Sequence, residues 1–224
     1  MYLIDTGNLE AIRYCNEYYP IEGVTTNPTL IAKEKTDFWT LIKEIRNIIG
    51  PEKMLHVQTV QSTAEKIVEE AQLIRDEVGG VFFIKIPISE EGLKATMMLK
   101  KLGIGVTMTA IFTPAQALIA AKAGADFVAP YVNRLDNILE DGGRVVAEIA
   151  KQFAIHKLDC KVLAASFKNC EQFHKCALAG CHSVTLPPEL FRKGISHPMT
   201  DVAISGFKKD WKGVYGDQTV LEFN

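Results

Sequence analysis

One lysine stands in a segment that is otherwise strongly apolar. Lys85 follows the run Val81–Ile84 and is followed by Ile86. Alternate residues of a strand share one face, so Val81, Phe83 and Lys85 are predicted to point the same way. Burial among carbon atoms lowers the pKa of an amine, and a neutral amine can attack a carbonyl to form a Schiff base. The alternative is a lysine whose ammonium group reaches solvent from the end of a strand.

Polar side chains also end most of the other short apolar segments. In a parallel barrel the chemistry lies at the carboxyl ends of the strands, so these side chains are predicted to share one rim. Asp5 could partner Lys85 or bind a hydroxyl group, or it could cap the next helix, although Asn8 is better placed for that. The residues in question are Asp5, Thr25 with Thr26 and Asn27, Gln58, Lys85, Thr107 with Thr109, Tyr131, and Ser166.

Two of these side chains differ in what they can do with protons. Gln58 can orient a water molecule or a hydroxyl group but cannot exchange protons, and it could equally be satisfied by the backbone at a strand end. Tyr131 follows Ala129 and Pro130, and its phenol can donate and accept a proton. Its alternative role is that of a packing aromatic at the start of a loop.

A second group of residues has the composition of an anion site. Arg134, Ser166 and Lys168 follow the predicted sixth and seventh strands. A guanidinium, a hydroxyl and an ammonium group together suit the phosphate of a sugar phosphate. Ordinary surface charge is the alternative interpretation.

Several classes of function are not supported by the sequence. The net charge is −2, which does not predict a nucleic-acid partner. No apolar run is long enough to cross a membrane, and the N-terminus has no signal-peptide pattern, so a cytoplasmic location is expected. The five histidines have no metal-ligand spacing, so no metal is predicted. His56, which shares a face with Met54 and Gln58, is interpreted as a packing residue.

Apolar segments alternate with amphipathic ones along the whole chain. Because strands that alternate with helices form parallel sheets, this order predicts an α/β fold. Eight such units in 224 residues favour a closed (β/α)8 TIM barrel over an open doubly wound sheet. The predicted strands are Tyr2–Asp5, Gly23–Thr25, Met54–Thr59, Val81–Ile86, Ile104–Thr109, Phe127–Ala129, Lys161–Ser166 and Ser183–Leu186.

The end of the chain is predicted to add one more helix. The barrel should occupy residues 1–196, and residues 197–224 should form an extra C-terminal helix, from Thr200 to about Trp211, and a tail within the same domain. Apolar residues such as Trp211, Val220 and Phe223 are unusual in a free tail. We expect them to dock on the barrel or on a neighbouring subunit.

Four blocks of sequence resemble the transaldolase family. They are Gly23–Thr29, Ile84–Pro87, Ala129–Arg134 and Ala164–Lys168. The similarity runs from Leu3 to about Trp211, and the length matches the short bacterial subfamily of fructose-6-phosphate aldolases and small transaldolases. The resemblance implies that Lys85 forms the Schiff base, that no metal or organic cofactor is needed, and that the chain forms a homo-oligomer, either a pentamer or a decamer.

Two positions separate the branches of this family. The small transaldolases have glutamate where this chain has Gln58, and phenylalanine where it has Tyr131. Glutamine and tyrosine are typical of the fructose-6-phosphate aldolases. The resemblance therefore implies an aldolase that cleaves or forms fructose 6-phosphate from dihydroxyacetone and glyceraldehyde 3-phosphate. A transaldolase that transfers a dihydroxyacetone unit is the nearest alternative, and a barrel that has lost catalysis and serves as an oligomeric scaffold is a remote one.

The resemblance also implies a role for each candidate residue. Tyr131, with Gln58 and Thr109, would hold a catalytic water molecule and move the proton. Asp5 and Asn27 would bind hydroxyl groups of the dihydroxyacetone unit and orient the amine, and Thr25 and Thr107 are weaker candidates for the same role. Phosphate would be bound by Arg134, Ser166 and Lys168; the last stands where many transaldolases have arginine.

Overall fold

The computed structural model describes residues 1–223. Eight parallel strands close into one barrel in sequence order, with β8 beside β1. This closure confirms the predicted TIM-barrel fold. The strands are β1 Tyr2–Asp5, β2 Gly23–Thr25, β3 Met54–Gln58, β4 Phe82–Pro87, β5 Gly105–Ile111, β6 Phe127–Pro130, β7 Lys161–Ala164 and β8 Ser183–Leu186.

Every predicted strand exists, and the bounds of β1, β2 and β8 agree with the prediction. In β4 the structure differs from the prediction at Val81, which was predicted to share a buried face with Lys85. Val81 lies outside β4 and is 39% exposed. The face that Lys85 shares therefore begins at Phe83.

Helices alternate with the strands along the chain. They are α1 Leu9–Tyr18, α2 Pro28–Lys33, α3 Phe38–Ile49, α4 Ala64–Val78, α5 Glu90–Lys101, α6 Pro114–Lys122, α7 Val132–Asp136, α8 Gly142–Ile155, α9 Cys170–Leu178, α10 Pro188–Ile195 and α11 Pro198–Tyr215. Asn8, Ser89 and Thr113 cap α1, α5 and α6 with side-chain oxygens, each accepting from a backbone amide of the first turn.

The inside of the barrel has a small apolar core of its own at the amino ends of the strands. Leu3, Phe127 and Leu163 form it, with Met54 and Phe83 packed against them. The rings of Phe83 and Phe127 meet edge to face at 5.1 Å. This inner core fills the barrel below the polar residues at the carboxyl ends of the strands.

Gly105 leaves the space that the ring of Phe83 occupies in this inner core. A Cβ atom at Gly105 would lie 2.5 Å from ring carbon Cδ1 of Phe83. Phe83 and Gly105 are register partners in β4 and β5, so the phenylalanine ring extends over the position where another residue would have its side chain. The glycine is thus required by packing.

The described part of the chain divides into two units, Met1–Phe191 and a second one that begins at Arg192. Within the second unit, α11 is longer than the predicted helix by two residues at its start and four at its end. A 3₁₀ turn, Val220–Glu222, follows. Phe223 contacts the rings of Trp211 and Tyr215, and the indole nitrogen of Trp211 donates to the carbonyl of Gln218 at 2.7 Å. Of the helices between residues 1 and 223, none is long and apolar enough to cross a lipid bilayer.

Replacing Gly105 by alanine should test the packing of the inner core. We expect Gly105→Ala to lower the free energy of unfolding by about 1–3 kcal/mol, because the methyl group overpacks the ring of Phe83. Urea unfolding followed by circular dichroism measures the change. Gly206→Ala is the matched control, because no atom beyond its chain neighbours and the backbone of its own helix lies within 4 Å of a Cβ atom built there. If Gly105→Ala unfolded at the wild-type urea concentration, packing would not require glycine at this position.

Candidate active site

Lys85 lies in the barrel interior. It is 4% exposed, and its Nζ atom donates to the carbonyl oxygen of Thr26 at 2.8 Å. Burial lowers the pKa of the Lys85 amine, and the negative charge of Asp5 offsets part of that effect. The side chain therefore does not reach bulk solvent, and the alternative of a solvated lysine at a strand end does not apply.

The strand register places two predicted residues on either side of Lys85. Its Cα partner in β3 is Gln58 and its partner in β5 is Thr107. The side-chain oxygen of Gln58 is buried and has no hydrogen-bond partner among the described residues. A buried carbonyl-type oxygen without a partner can accept a hydrogen bond from a ligand or from water.

Asp5 is held by a threonine that sequence analysis ranked as a weaker candidate. The Thr25 hydroxyl donates to Asp5 Oδ1 at 2.6 Å. Because that hydroxyl has only one hydrogen, the contact of 2.6 Å between Thr25 and Thr185 requires Thr185 to donate. The chain of two hydroxyl groups fixes one carboxylate oxygen of Asp5. The helix-cap alternative for Asp5 is wrong, because Asn8 caps α1.

Thr185 is a site neighbour that sequence analysis missed. It lies in β8, which ends in the apolar residue Leu186, and it therefore did not appear as a polar strand end. The usable signal was the alternation of Ser183 and Thr185 on one face of this strand. Only the closure of β8 onto β1 brings Thr185 near Asp5 and Thr25.

Tyr131 and Thr109 contact each other directly. The Thr109 hydroxyl donates to the phenol oxygen of Tyr131 at 3.0 Å, which leaves the phenolic hydrogen for another acceptor. Two backbone features hold this geometry. The register of β5 shifts between Thr109 and Ile111, at Ala110 with a φ of 57°, and the amide of Tyr131 donates to the carbonyl of Ile111 at 3.1 Å. A bulge of this kind re-aims the adjacent side chain.

The residues of the predicted anion site follow β6 and β7. Arg134 stands in α7, with its guanidinium carbon 4.9 Å from the ring centre of Tyr131. Ser166 is half-buried with a φ of 64°, and its carbonyl accepts from the amide of Asn133 at 2.8 Å. Lys168 is exposed. Because β6 and β7 are neighbours, the two cations and the hydroxyl group lie on one side of the rim. Both cations are outside the barrel interior.

Two predicted substrate-binding residues already have partners inside the protein. Asn27 caps α2, and its carboxamide oxygen accepts from the amide of Leu30 at 3.0 Å. Its amide nitrogen is therefore the end suited to a ligand hydroxyl. Thr107 is 0% exposed and lies 2.8 Å from Nδ1 of His56, a residue that sequence analysis interpreted as packing. His56 does pack, since its ring stacks on Phe83 at 4.7 Å, but it also holds a candidate site residue.

The fold and these side chains together define the class of protein. A closed barrel of eight parallel strands, with its polar residues gathered at the carboxyl ends of the strands, is the architecture of the TIM-barrel enzymes. The family model described as transaldolase/fructose-6-phosphate aldolase matches residues 2–218, and the chain belongs to this family.

Solved structures with the same fold are distant in sequence. A structure described as native KDPGal has 17% identity and a TM-score of 0.58, and the match covers 87% of this chain and 85% of that one. A double variant of flavocytochrome b2 with sulfite bound has 12% identity and a TM-score of 0.61, over 84% of this chain and 56% of that one. A designed cube-shaped, highly porous protein cage has 14% identity and a TM-score of 0.58, over 96% and 77%. At these identities the likeness concerns the fold alone.

The proximity of Lys85 to His56 has a measurable consequence. Burial, and then the positive charge of Lys85, lower the pKa of His56 well below its usual value. At acidic pH, where the Lys85 amine is protonated, removing its charge in Lys85→Met should therefore raise the pKa of His56, although burial keeps it below that of a solvated histidine. Nitrogen chemical shifts of the ring over a pH series measure it. His182 is the internal control, because its lowered pKa comes from burial and from Lys161 and the N-terminus. An unchanged titration of His56 would contradict this arrangement.

Proposed function

We propose that the chain is a class I aldolase that cleaves and forms fructose 6-phosphate through a Schiff base on Lys85. The observation that carries the proposal is a buried lysine amine near the charge of Asp5, in a barrel where Tyr131 follows the end of β6 at the same rim. Membership in the transaldolase/fructose-6-phosphate aldolase family supports the reaction class. Gln58 and Tyr131, at the two positions that separate the branches, favour cleavage over transfer.

The reaction begins with the lone pair of the Lys85 amine. It forms a bond to C2 of the ketose, and the carbonyl electrons move to oxygen, which takes up a proton. Loss of water from this carbinolamine gives an iminium ion. A low pKa of the amine favours the attack, because the neutral form is the nucleophile. Asp5 lies near enough to the amine to interact with its charge and stabilises the positively charged iminium.

Cleavage follows when the C4 hydroxyl loses its proton. The C3–C4 bond breaks, glyceraldehyde 3-phosphate leaves as the aldehyde, and the bonding electrons form an enamine with C2 and the lysine nitrogen. Protonation of C3 and addition of water to C2 then release dihydroxyacetone and the free amine. Tyr131 is the residue of this rim that exchanges the protons, since Gln58 cannot. A transaldolase would instead pass the enamine to a second aldehyde.

The phosphate group requires a cationic contact outside the interior. Arg134 and Lys168 provide two cations, and Ser166 provides a hydroxyl group near them in sequence and at neighbouring strand ends. A phosphate at this side of the rim would let the carbon chain of the substrate point inward, toward Lys85. The small-molecule partner of the proposal is accordingly a sugar phosphate.

The oligomer and the location remain predictions. On α11, the apolar side chains of Met199, Val202, Phe207 and Val214 are all exposed in the single chain. Apolar groups in such number on one helix support docking on a second copy of the chain, in a pentamer or decamer. The boundary between residues 196 and 197 and the cytoplasmic location are likewise proposals.

Trapping the Schiff base tests the proposal directly. With fructose 6-phosphate and borohydride, the wild-type chain should gain the mass of one reduced three-carbon or six-carbon adduct, and peptide mapping should place it on Lys85. Lys85→Met should gain none. Lys151→Met, which removes an exposed lysine of α8, should react like the wild type. Absence of an adduct on the wild type, or an equal adduct on Lys85→Met, would remove the enzyme interpretation in favour of a non-catalytic barrel.

The assignment of proton transfer to Tyr131 predicts a different phenotype. Tyr131→Phe should still form the borohydride adduct but should lose about 10²–10⁴-fold in kcat for cleavage, the usual contribution of an acid–base group. Coupled assay of glyceraldehyde 3-phosphate release measures kcat, and transfer to erythrose 4-phosphate is assayed with the same protein. If Tyr131→Phe instead kept its cleavage rate, or the wild type transferred faster than it cleaved, the transaldolase alternative would be favoured.

A further inference from the structure

Gln172 is a buried side chain next to the predicted phosphate site. It lies in the first turn of α9 and is 8% exposed. Its carboxamide oxygen accepts from the backbone amide of Lys168 at 2.8 Å. Because a backbone amide can only donate, this bond fixes the orientation of the carboxamide and directs its nitrogen Nε2 away from Lys168.

The nitrogen of the same carboxamide contacts α7. It donates to Asp136 Oδ2 at 2.7 Å and to Asn133 Oδ1 at 3.2 Å. Asp136 is held in place by its other oxygen, which accepts from the amide of Gly142 at 2.9 Å. Both hydrogens of the Gln172 amide nitrogen are thus engaged, and one side chain joins the segment after β7 to the helix after β6.

Helix capping alone does not require these contacts. Gln116 occupies the same position in the first turn of α6, and its carboxamide oxygen accepts from the amide of Phe112, four residues earlier, at 2.9 Å. Gln172 accepts from Lys168 in the same way. The side-chain hydrogen bonds of Gln116 within residues 1–223 stay at its own helix start. The capping role is therefore common to both glutamines, whereas the connection to α7 is particular to Gln172.

The helix that carries Arg134 depends on such contacts. It has five residues, and within the described chain no side chain caps its start. Helices this short are marginal without tertiary contacts. The amide of Asn133 donates to the carbonyl of Ser166 at 2.8 Å, which fixes the first turn. Gln172 fixes the last residue, Asp136, so the position of Arg134 between them depends on both bonds.

We propose that Gln172 is a positioning residue that sets the preference of the enzyme for phosphorylated aldehydes. This inference rests on the proposed aldolase function. The candidate phosphate-binding groups stand on two separate segments, with Arg134 on α7 and with Ser166 and Lys168 after β7. Neither segment alone determines the spacing of these groups, and the carboxamide of Gln172 fixes it by binding both. Misplacement of a binding group by about 1 Å can cost about 10²-fold in rate.

A competition between two aldehydes tests the inference. Equal concentrations of glyceraldehyde 3-phosphate and glyceraldehyde are incubated in one vessel with dihydroxyacetone and enzyme, and the two aldol products are separated by mass early in the reaction. Their ratio equals the ratio of kcat/KM values for the two aldehydes and does not depend on how much of a variant is folded. The wild type should favour glyceraldehyde 3-phosphate by at least about tenfold, the effect of one hydrogen bond to a charged group.

Two single changes separate positioning from capping and from charge. Gln172→Leu should lower the product ratio by about tenfold, whereas the matched control Gln116→Leu should keep the wild-type ratio. Asp136→Asn removes a negative charge from the helix of Arg134, which by itself would strengthen phosphate binding. Whichever way the new carboxamide turns, however, its nitrogen faces another donor, either Nε2 of Gln172 or the amide of Gly142. We therefore expect Asp136→Asn to lower the ratio.

A double variant reverses the direction of the central hydrogen bond. In Gln172→Glu alone, the carboxylate still accepts from the amide of Lys168 but faces the carboxylate of Asp136, so the ratio should fall by about tenfold. Adding Asp136→Asn places an amide donor opposite the new carboxylate and restores the net charge. Asn133 can turn its own carboxamide to donate as well. The double variant should recover the wild-type ratio to within about threefold, since the two residues act as one pair.

The outcomes separate this inference from the proposed function. If the wild type forms products in a ratio near one, or if Gln172→Leu keeps the wild-type ratio, the role of Gln172 is wrong and the aldolase stands. A higher ratio in Asp136→Asn, or a double variant that stays as low as Gln172→Glu, would also overturn it, because charge and not position would then set the preference. If the wild type forms neither product and no borohydride adduct, the proposed function fails and the inference with it.

Discussion

Exclusion of water from the amine of Lys85 is the condition on which the candidate site depends. Burial favours the neutral amine, and the nearby charge of Asp5 works in the opposite direction. The balance requires that the carboxylate be close but fixed, since an Asp5 free to approach the amine would hold it as an ammonium ion. The hydroxyl groups of Thr25 and Thr185 provide that restraint by engaging one carboxylate oxygen.

The barrel meets this condition by changing character along its axis. At the amino ends of the strands, Leu3, Phe127 and Leu163 fill the interior, and Gly105 leaves the space that the ring of Phe83 occupies. Further along the same strands, the interior side chains become polar. Because the apolar layer fills the barrel at the amino ends of the strands, we expect a substrate to reach the amine from the rim, where Tyr131 and the cations follow β6 and β7. Closure of the sheet is therefore a requirement for the chemistry as well as for stability.

Much of the fold and of the candidate site could be predicted from the sequence, because these parts depend on local patterns. Strand alternation identified Lys85 as a buried residue, and polar strand ends identified Asp5, Gln58 and Tyr131 as residues of the same rim, since parallel strands align their ends. What could not be predicted depends on contacts across the barrel. Thr185 reaches Thr25 only because β8 pairs with β1, and His56 reaches Thr107 across β4, two strands apart.

Other differences come from competition between roles that one side chain can fill. Asn27 was predicted to bind substrate, yet its carboxamide oxygen caps α2, because a helix start provides an amide donor at short range. Val81 was assigned to the face of Lys85 by period alone, but β4 begins one residue later. Sequence periodicity gives no information on where pairing with a neighbouring strand stops. The register of the two paired strands is needed to decide where a strand begins and ends.

The choice between cleavage and transfer reduces, under the proposed function, to how the enamine on Lys85 acquires a proton. A glutamate beside Lys85 could supply one through water, whereas Gln58 has no proton to exchange. The remaining source on that rim is the phenol of Tyr131, whose oxygen already accepts from Thr109 and whose hydrogen is therefore free to point at the reacting carbon or its water. A proton donor with this orientation shortens the lifetime of the enamine. An enamine that is protonated quickly does not react with a second aldehyde. Hydrolysis to free dihydroxyacetone is then the expected fate.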